Sequence, residues 1–239
     1  MQLPHTIHIL GFTKNQDAMQ RTAREVERIG FSPEPFWNFP TPYTQFLHKY
    51  LSRNAGNPVR RSPVFVNSGY GHYALVRTAY ELGCESAFIV EDDCRFLKDK
   101  ERLMRELAQI PEDADLVLLD SFRPLAIPLN DFLASRRPVV GCWAQVDRVR
   151  SAAAYLVNRR CMGRLISCID AGARGAKVRA FDQWFDKGRL CGLNIYCAVP
   201  SLAIQQDPPS AQQPRQTKGA TKETRYAGMS LNFDDYAEW

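Results

Sequence analysis

The chain has 239 residues, of which 45% are apolar and 24% charged, with a formal net charge of +5. That balance fits one folded domain with a sizeable core and excludes a disordered chain, a collagen-like rod and a disulfide miniprotein. No run of 18 apolar residues occurs, and the start Met1-Gln2-Leu3-Pro4-His5 lacks the basic and apolar regions of a secretory signal, so the expected location is cytoplasmic. The seven cysteines are an odd set without a Cys-x-x-Cys pair, and the four histidines lie at 5, 8, 48 and 72. Neither pattern supplies clustered zinc ligands, so reduced thiols are expected.

Strands and helices alternate along the chain. Thr6–Leu10 reads as a buried strand ending at Gly11, and Asn15–Ile29 as an amphipathic helix stopped by Gly30. A Pro-rich loop follows (Pro33, Pro35, Pro40, Pro42), then a helix carrying Tyr43, Phe46, Leu47, Tyr50 and Leu51. Pro63–Val66 reads as a short strand and Tyr70–Leu82 as a third helix. Ala87–Val90 is a continuous apolar run, the mark of a central strand covered on both faces. Lys98–Ile110 is helical with Leu103, Met104, Leu107 and Ile110 inward, and Leu116–Leu119 is again apolar between Asp115 and Asp120. Val139–Trp143 reads as a strand, Ala152–Ile169 as a helix and Leu193–Val199 as a late strand. The alternation predicts an α/β domain over 1–204 with a mainly parallel central sheet flanked by helices. Residues 205–239 form a polar C-terminal segment, and its stretch from Gln205 to Arg225 is too poor in large apolar residues to offset its ordering entropy, which predicts a mobile tail or lid.

Charge is uneven. From Asp147 to Arg179 eight Lys/Arg face two Asp, a pattern that serves an anionic partner or is simply a solvated helix face. The sharpest feature is Glu91-Asp92-Asp93 directly after the Ala87–Val90 strand. Ligands of open α/β sheets bind outside the carboxyl ends of the strands. If the segment stays extended, Glu91 and Asp93 share one side and Asp92 takes the other. Two same-side carboxylates make a hard-oxygen site for Mg²⁺ or Mn²⁺, which also take oxygens from a diphosphate. The bland alternative is an acidic turn capping the next helix. Phe181-Asp182-Gln183-Trp184 places an acid between aromatics. Those rings, with Phe185, either stack on a sugar or belong to a helix core.

The series Gly69-Tyr70-Gly71-His72-Tyr73-Ala74-Leu75, Ala87-Phe88-Ile89-Val90-Glu91-Asp92-Asp93, Ala152-Ala153-Ala154-Tyr155-Leu156-Val157 and Phe181-Asp182-Gln183 resembles glycosyltransferase family 25, the lipooligosaccharide and collagen galactosyltransferases. Gly71 stands where that family usually has Ser. The resemblance covers roughly residues 5 to 207 and rests mainly on the Glu-Asp-Asp element with its upstream His72. It implies a GT-A-type nucleotide-binding fold, and transfer of a hexose from a nucleoside-diphosphate sugar, of the UDP-sugar class, to a hydroxyl of a glycan or glycolipid such as a lipopolysaccharide core, with inversion. It also implies Mn²⁺ or Mg²⁺ at Glu91 and Asp93, Asp92 and His72 at the donor site, and Asp182 as the base. No histidine follows 72, so Asp207 or water would complete the metal shell. Gly11, Thr13 and Arg21 are placed near the nucleotide by topology. The alternative function is a non-catalytic binding protein of the same fold, docking an anionic partner such as nucleic acid through its basic helix. No nucleic-acid motif, dinucleotide fingerprint or Gly-x-Ser-x-Gly element is present.

Overall fold

The computed structural model describes residues 1, 3–12, 16–38, 63–120, 138–147, 152–174, 181–185, 190 and 192–205, with the side chains of 12, 38, 63–68, 173, 174, 182 and 183 left aside. The expected helix over 43–51 lies outside these residues, as does everything after 205. The elements run β1 (Thr6–Phe12), α1 (Gln16–Arg28), β2 (Ser32–Asn38), α2 (Pro63–Glu81), β3 (Ser86–Glu91), β4 (Cys94–Phe96), α3 (Lys100–Ala108), β5 (Leu116–Leu118), β6 (Trp143–Gln145), β7 (Ala154–Asn158), α4 (Arg159–Arg174), β8 (Ile195–Ala198) and β9 (Ala203–Gln205). A 3-10 turn, Phe181–Trp184, sits between α4 and β8.

Seven strands form one sheet in the order β2-β1-β3-β7-β5-β8-β6, and β4 pairs with β9 in a separate ribbon. β1, β2 and β3 are mutually parallel. β7 is antiparallel to both β3 and β5, and β8 is parallel to β5, so β1, β2, β3, β5 and β8 all point one way. Only β7 and β6 oppose them. The fold is α/β with a mainly parallel sheet, as expected.

Alternation along β3 divides the core in two. Ala87 and Ile89 face a cluster with Leu75, Val76 and Ala79 of α2 and Cys161, Met162 and Leu165 of α4. Phe88 and Val90 face Met19 and Val26 of α1, Leu103 and Leu107 of α3, and Phe96 of β4. Helices thus cover both faces, and the full burial of Phe88, Ile89 and Val90 accounts for the unbroken apolar run.

Several elements differ from expectation, among them Val139–Trp143, which is a bridged turn leading into β6 rather than a strand. The Pro-rich stretch contributes β2, an edge strand. Ser32 N–H donates to His5 O, so alternation turns the nitrogens of Pro33 and Pro35 outward, where no ladder donor is needed. Pro63–Val66 is the first turn of α2, where a proline's missing N–H costs nothing. Met104 on α3 is exposed, while Asp99 caps that helix by accepting from Arg102 N–H at 2.8 Å. The largest difference is Ala152–Ile169. Its first part is β7, wedged between β3 and β5 with Tyr155, Leu156 and Val157 fully buried, and only Arg159 onward is helical. The β-branched and aromatic residues fill a slot covered on both faces, which outweighs the helical spacing.

Candidate active site at the carboxyl edge

The five codirectional strands end at one edge of the sheet, and the acids of the strand ends gather there. β3 ends at Glu91, after which Asp92 and Asp93 form a tight turn into β4. The expected extended alternation therefore stops at Glu91, and the sides of Asp92 and Asp93 are set by the turn instead. Asp92 N–H donates to Leu10 O of β1 at 2.9 Å. Thr22 of α1, buried, donates its hydroxyl to Asp92 O at 2.8 Å. One helix and one neighbouring strand thus hold the acidic turn by its backbone.

Gly11 closes this corner. A β-carbon there would lie 2.6 Å from Met19 Cε and 3.0 Å from both Cβ and Oδ2 of Asp92. The missing side chain is what lets the Asp92 carboxylate sit against the end of β1. Asp120 comes from the end of the β5 segment, is buried, and accepts from Ser201 Oγ at 3.2 Å. The sequence marks Asp120 only as an acidic strand end. Its strand runs parallel to β3, and that alone could have placed it at this edge.

The buried Cys94 thiol reports the field among these groups. Burial pushes it well above its ordinary pKa, and Asp93, Asp120, Glu91 and Glu25 push it further the same way. The carboxylate oxygens of Glu91 and Asp93 are hard donors of the kind that Mg²⁺ and Mn²⁺ take. Among the described residues no three His, Cys, Asp or Glu converge as a complete ligand cage.

His72 lies behind Glu91. It is on α2, 1% exposed, with Nε2 3.2 Å from Glu91 Oε1 and Nδ1 3.0 Å from the Tyr155 hydroxyl. Gln205, the last residue of β9, donates its amide to Glu91 Oε2. Burial above all, then Glu91 and Cys161, pushes the Tyr155 phenol well above its ordinary pKa, so it keeps its proton. The Phe181 ring stacks on His72 at 4.7 Å and 14°. Asp182 follows Phe181 within the 3-10 turn.

Other expected residues fall elsewhere. Arg21 is exposed on α1, and Thr13 and Asp207 lie outside the described residues. Phe181, Trp184 and Phe185 are buried in the core under α2 and α4, which decides between their two readings for the core. In the basic stretch, Arg159 covers the Tyr80 ring at 4.5 Å and donates to Tyr80 O, and Arg160 donates to Asp115 and Gly192 O. These two cations serve the opposite edge of the sheet, so that much of the expected anion surface is spent on internal contacts.

No protein-family model matches the chain, and no curated protein matches it, so membership of glycosyltransferase family 25 is not supported. Among solved structures the chain is similar to a glycosyltransferase involved in glycosylation of the major capsid of PBCV-1. There the TM-score is 0.46 at 10% identity, covering 84% of this chain and 93% of that one. It is also similar to mouse xyloside xylosyltransferase 1, with TM-score 0.37 at 10% identity over 81% of this chain and 73% of that one. Mannose-1-phosphate geranyltransferase from Thermus thermophilus gives TM-score 0.37 at 12% identity over 82% of this chain and 74% of that one. No residue role is carried across at these values. Among the described residues no helix is long and apolar enough to cross a membrane.

Proposed function

We propose that the chain is a glycosyltransferase of GT-A type that moves a hexose from a nucleoside-diphosphate sugar, of the UDP-sugar class, to an acceptor hydroxyl with inversion. The observation that supports this reading is the acidic turn Glu91-Asp92-Asp93 at the carboxyl end of β3, held by its backbone against β1 and α1 and packed on the Gly11 end of β1. The carboxyl edge is where open α/β sheets take ligands.

In this reading Asp93 and Glu91 hold Mn²⁺ or Mg²⁺ with the donor diphosphate. The ion, when bound, supplies positive charge that neutralises the leaving diphosphate. Asp182 takes the proton of the acceptor hydroxyl as that oxygen bonds to the anomeric carbon. The bond from that carbon to the diphosphate oxygen breaks, and its electron pair leaves with the nucleotide. Gly11 and Asp92 shape the corner that receives the nucleotide, and His72 supports Glu91 from behind.

A thermal-shift screen of UDP-, GDP-, CMP- and ADP-sugars, each with Mn²⁺ and with EDTA, tests the donor site. A ligand at 100 times its Kd stabilises the native state by about 2.7 kcal/mol, so a rise of several degrees is expected for one nucleotide class with Mn²⁺. No shift with any of them would overturn the reading and return weight to a binding protein.

A further inference from the structure

Glu91 is held in a way that capping or packing does not require. Asp99, a plain helix cap, does its work from an exposed position with one backbone partner. Glu91 instead meets an imidazole that is itself buried and itself held. An ionised carboxylate only accepts, so the contact at Oε1 requires a proton on His72 Nε2. On the other side of the ring Nδ1 lies 3.0 Å from the Tyr155 hydroxyl, so Tyr155, His72 and Glu91 form one buried chain of contacts. Gln205 holds the second oxygen from β9, so the carboxylate is gripped from two elements and its plane cannot turn freely. The same imidazole stacks on Phe181, which precedes Asp182 in the 3-10 turn.

Resting on the donor-site reading above, we infer that Tyr155 and His72 are positioning residues. Their buried chain fixes the plane of the Glu91 carboxylate and sets its separation from the turn that carries Asp182. Neither touches the donor. Partners that orient a ligating carboxylate typically change metal affinity 10–100-fold when removed, and a buried, fully satisfied network of this kind specifies geometry more than it adds stability.

Two measurements test this. In the wild-type protein, ¹⁵N correlation spectra of the His72 ring should show a proton held at Nε2. In Tyr155→Phe, which deletes one oxygen, the Nδ1 resonance should shift. A ring with no proton at Nε2, or one averaging between tautomers, would overturn the chain of donors. Calorimetric titration with UDP, and in parallel GDP, in the presence of Mn²⁺ should then show about 10-fold weaker binding for Tyr155→Phe. His72→Gln, which keeps an N–H for Glu91, should retain more binding than His72→Ala. Wild-type binding that Tyr155→Phe leaves unchanged would overturn the positioning role alone. A wild type that binds neither nucleotide with Mn²⁺ would overturn the donor-site reading itself, while the ring spectra still decide the chain of donors.

Discussion

The two ends of β5 carry the same residue in opposite circumstances. At the amino edge Asp115 accepts from the Asn158 amide and the Asn194 backbone N–H, and from the Arg160 guanidinium at 2.8 Å. At the carboxyl edge Asp120 accepts from the Ser201 hydroxyl at 3.2 Å. A buried thiol near each edge registers the difference. Cys161 is pushed up by burial and by Asp115 but pulled down by Arg160, whereas the leading charges on Cys94 all push one way. The first edge is locally neutralised and structural. The second carries the acidic turn, held by its backbone to β1 and α1.

Asp115→Asn should break the first edge most severely. Its side chain is 5% exposed and serves two part-buried donors, while Arg160 is 62% exposed and can turn to water. Leaving the donors badly matched should cost about 2–4 kcal/mol, read as a lower denaturant midpoint. Gly11→Ala probes the second edge. A β-carbon 3.0 Å from Asp92 Cβ forces the acidic turn to shift, at a cost of about 1–3 kcal/mol, and nucleotide binding should weaken with it.

Alkali separates the edges more finely. Burial holds the thiols of Cys94, Cys142 and Cys161 protonated above pH 9, where the unfolded chain releases those protons. The native state then binds more protons, so stability falls as pH rises, by on the order of 1 kcal/mol per pH unit for each thiol. Lys98 works in the opposite sense. Burial lowers it to about 8 from 10.5, so the unfolded chain binds the extra proton between these values and stability rises there. Three thiols outweigh one ammonium, and the net slope above pH 9 is downward. Cys94→Ala should flatten it by one thiol's share in a pH series of denaturation curves.

Much of the sheet is legible in sequence because its signals are local. The apolar run of β3 and the acids at its end are read directly, and so is their place at the carboxyl edge. β2 is hidden because prolines signal loops unless the strand is known to lie at an edge, which only pairing reveals. β7 is hidden because Ala153-Ala154-Tyr155-Leu156-Val157 runs straight into α4, and only its burial on both faces makes it a strand. The link from Tyr155 to His72 spans 83 positions, and that from Gln205 to Glu91 spans 114. No local pattern encodes either. Resemblance picks out His72, but its partners require the fold.

The claim that one edge binds and the other supports is tested most directly by a paired titration. Asp93→Asn and Asp115→Asn are each titrated calorimetrically with UDP and Mn²⁺, and each is melted without ligand. Asp93→Asn should lose Mn²⁺-dependent binding at least 10-fold and keep or raise its melting temperature. Asp115→Asn should melt several degrees lower and, while folded, bind UDP as the wild type does. Equal binding by wild type and Asp93→Asn, or a loss of binding confined to Asp115→Asn, would contradict the account.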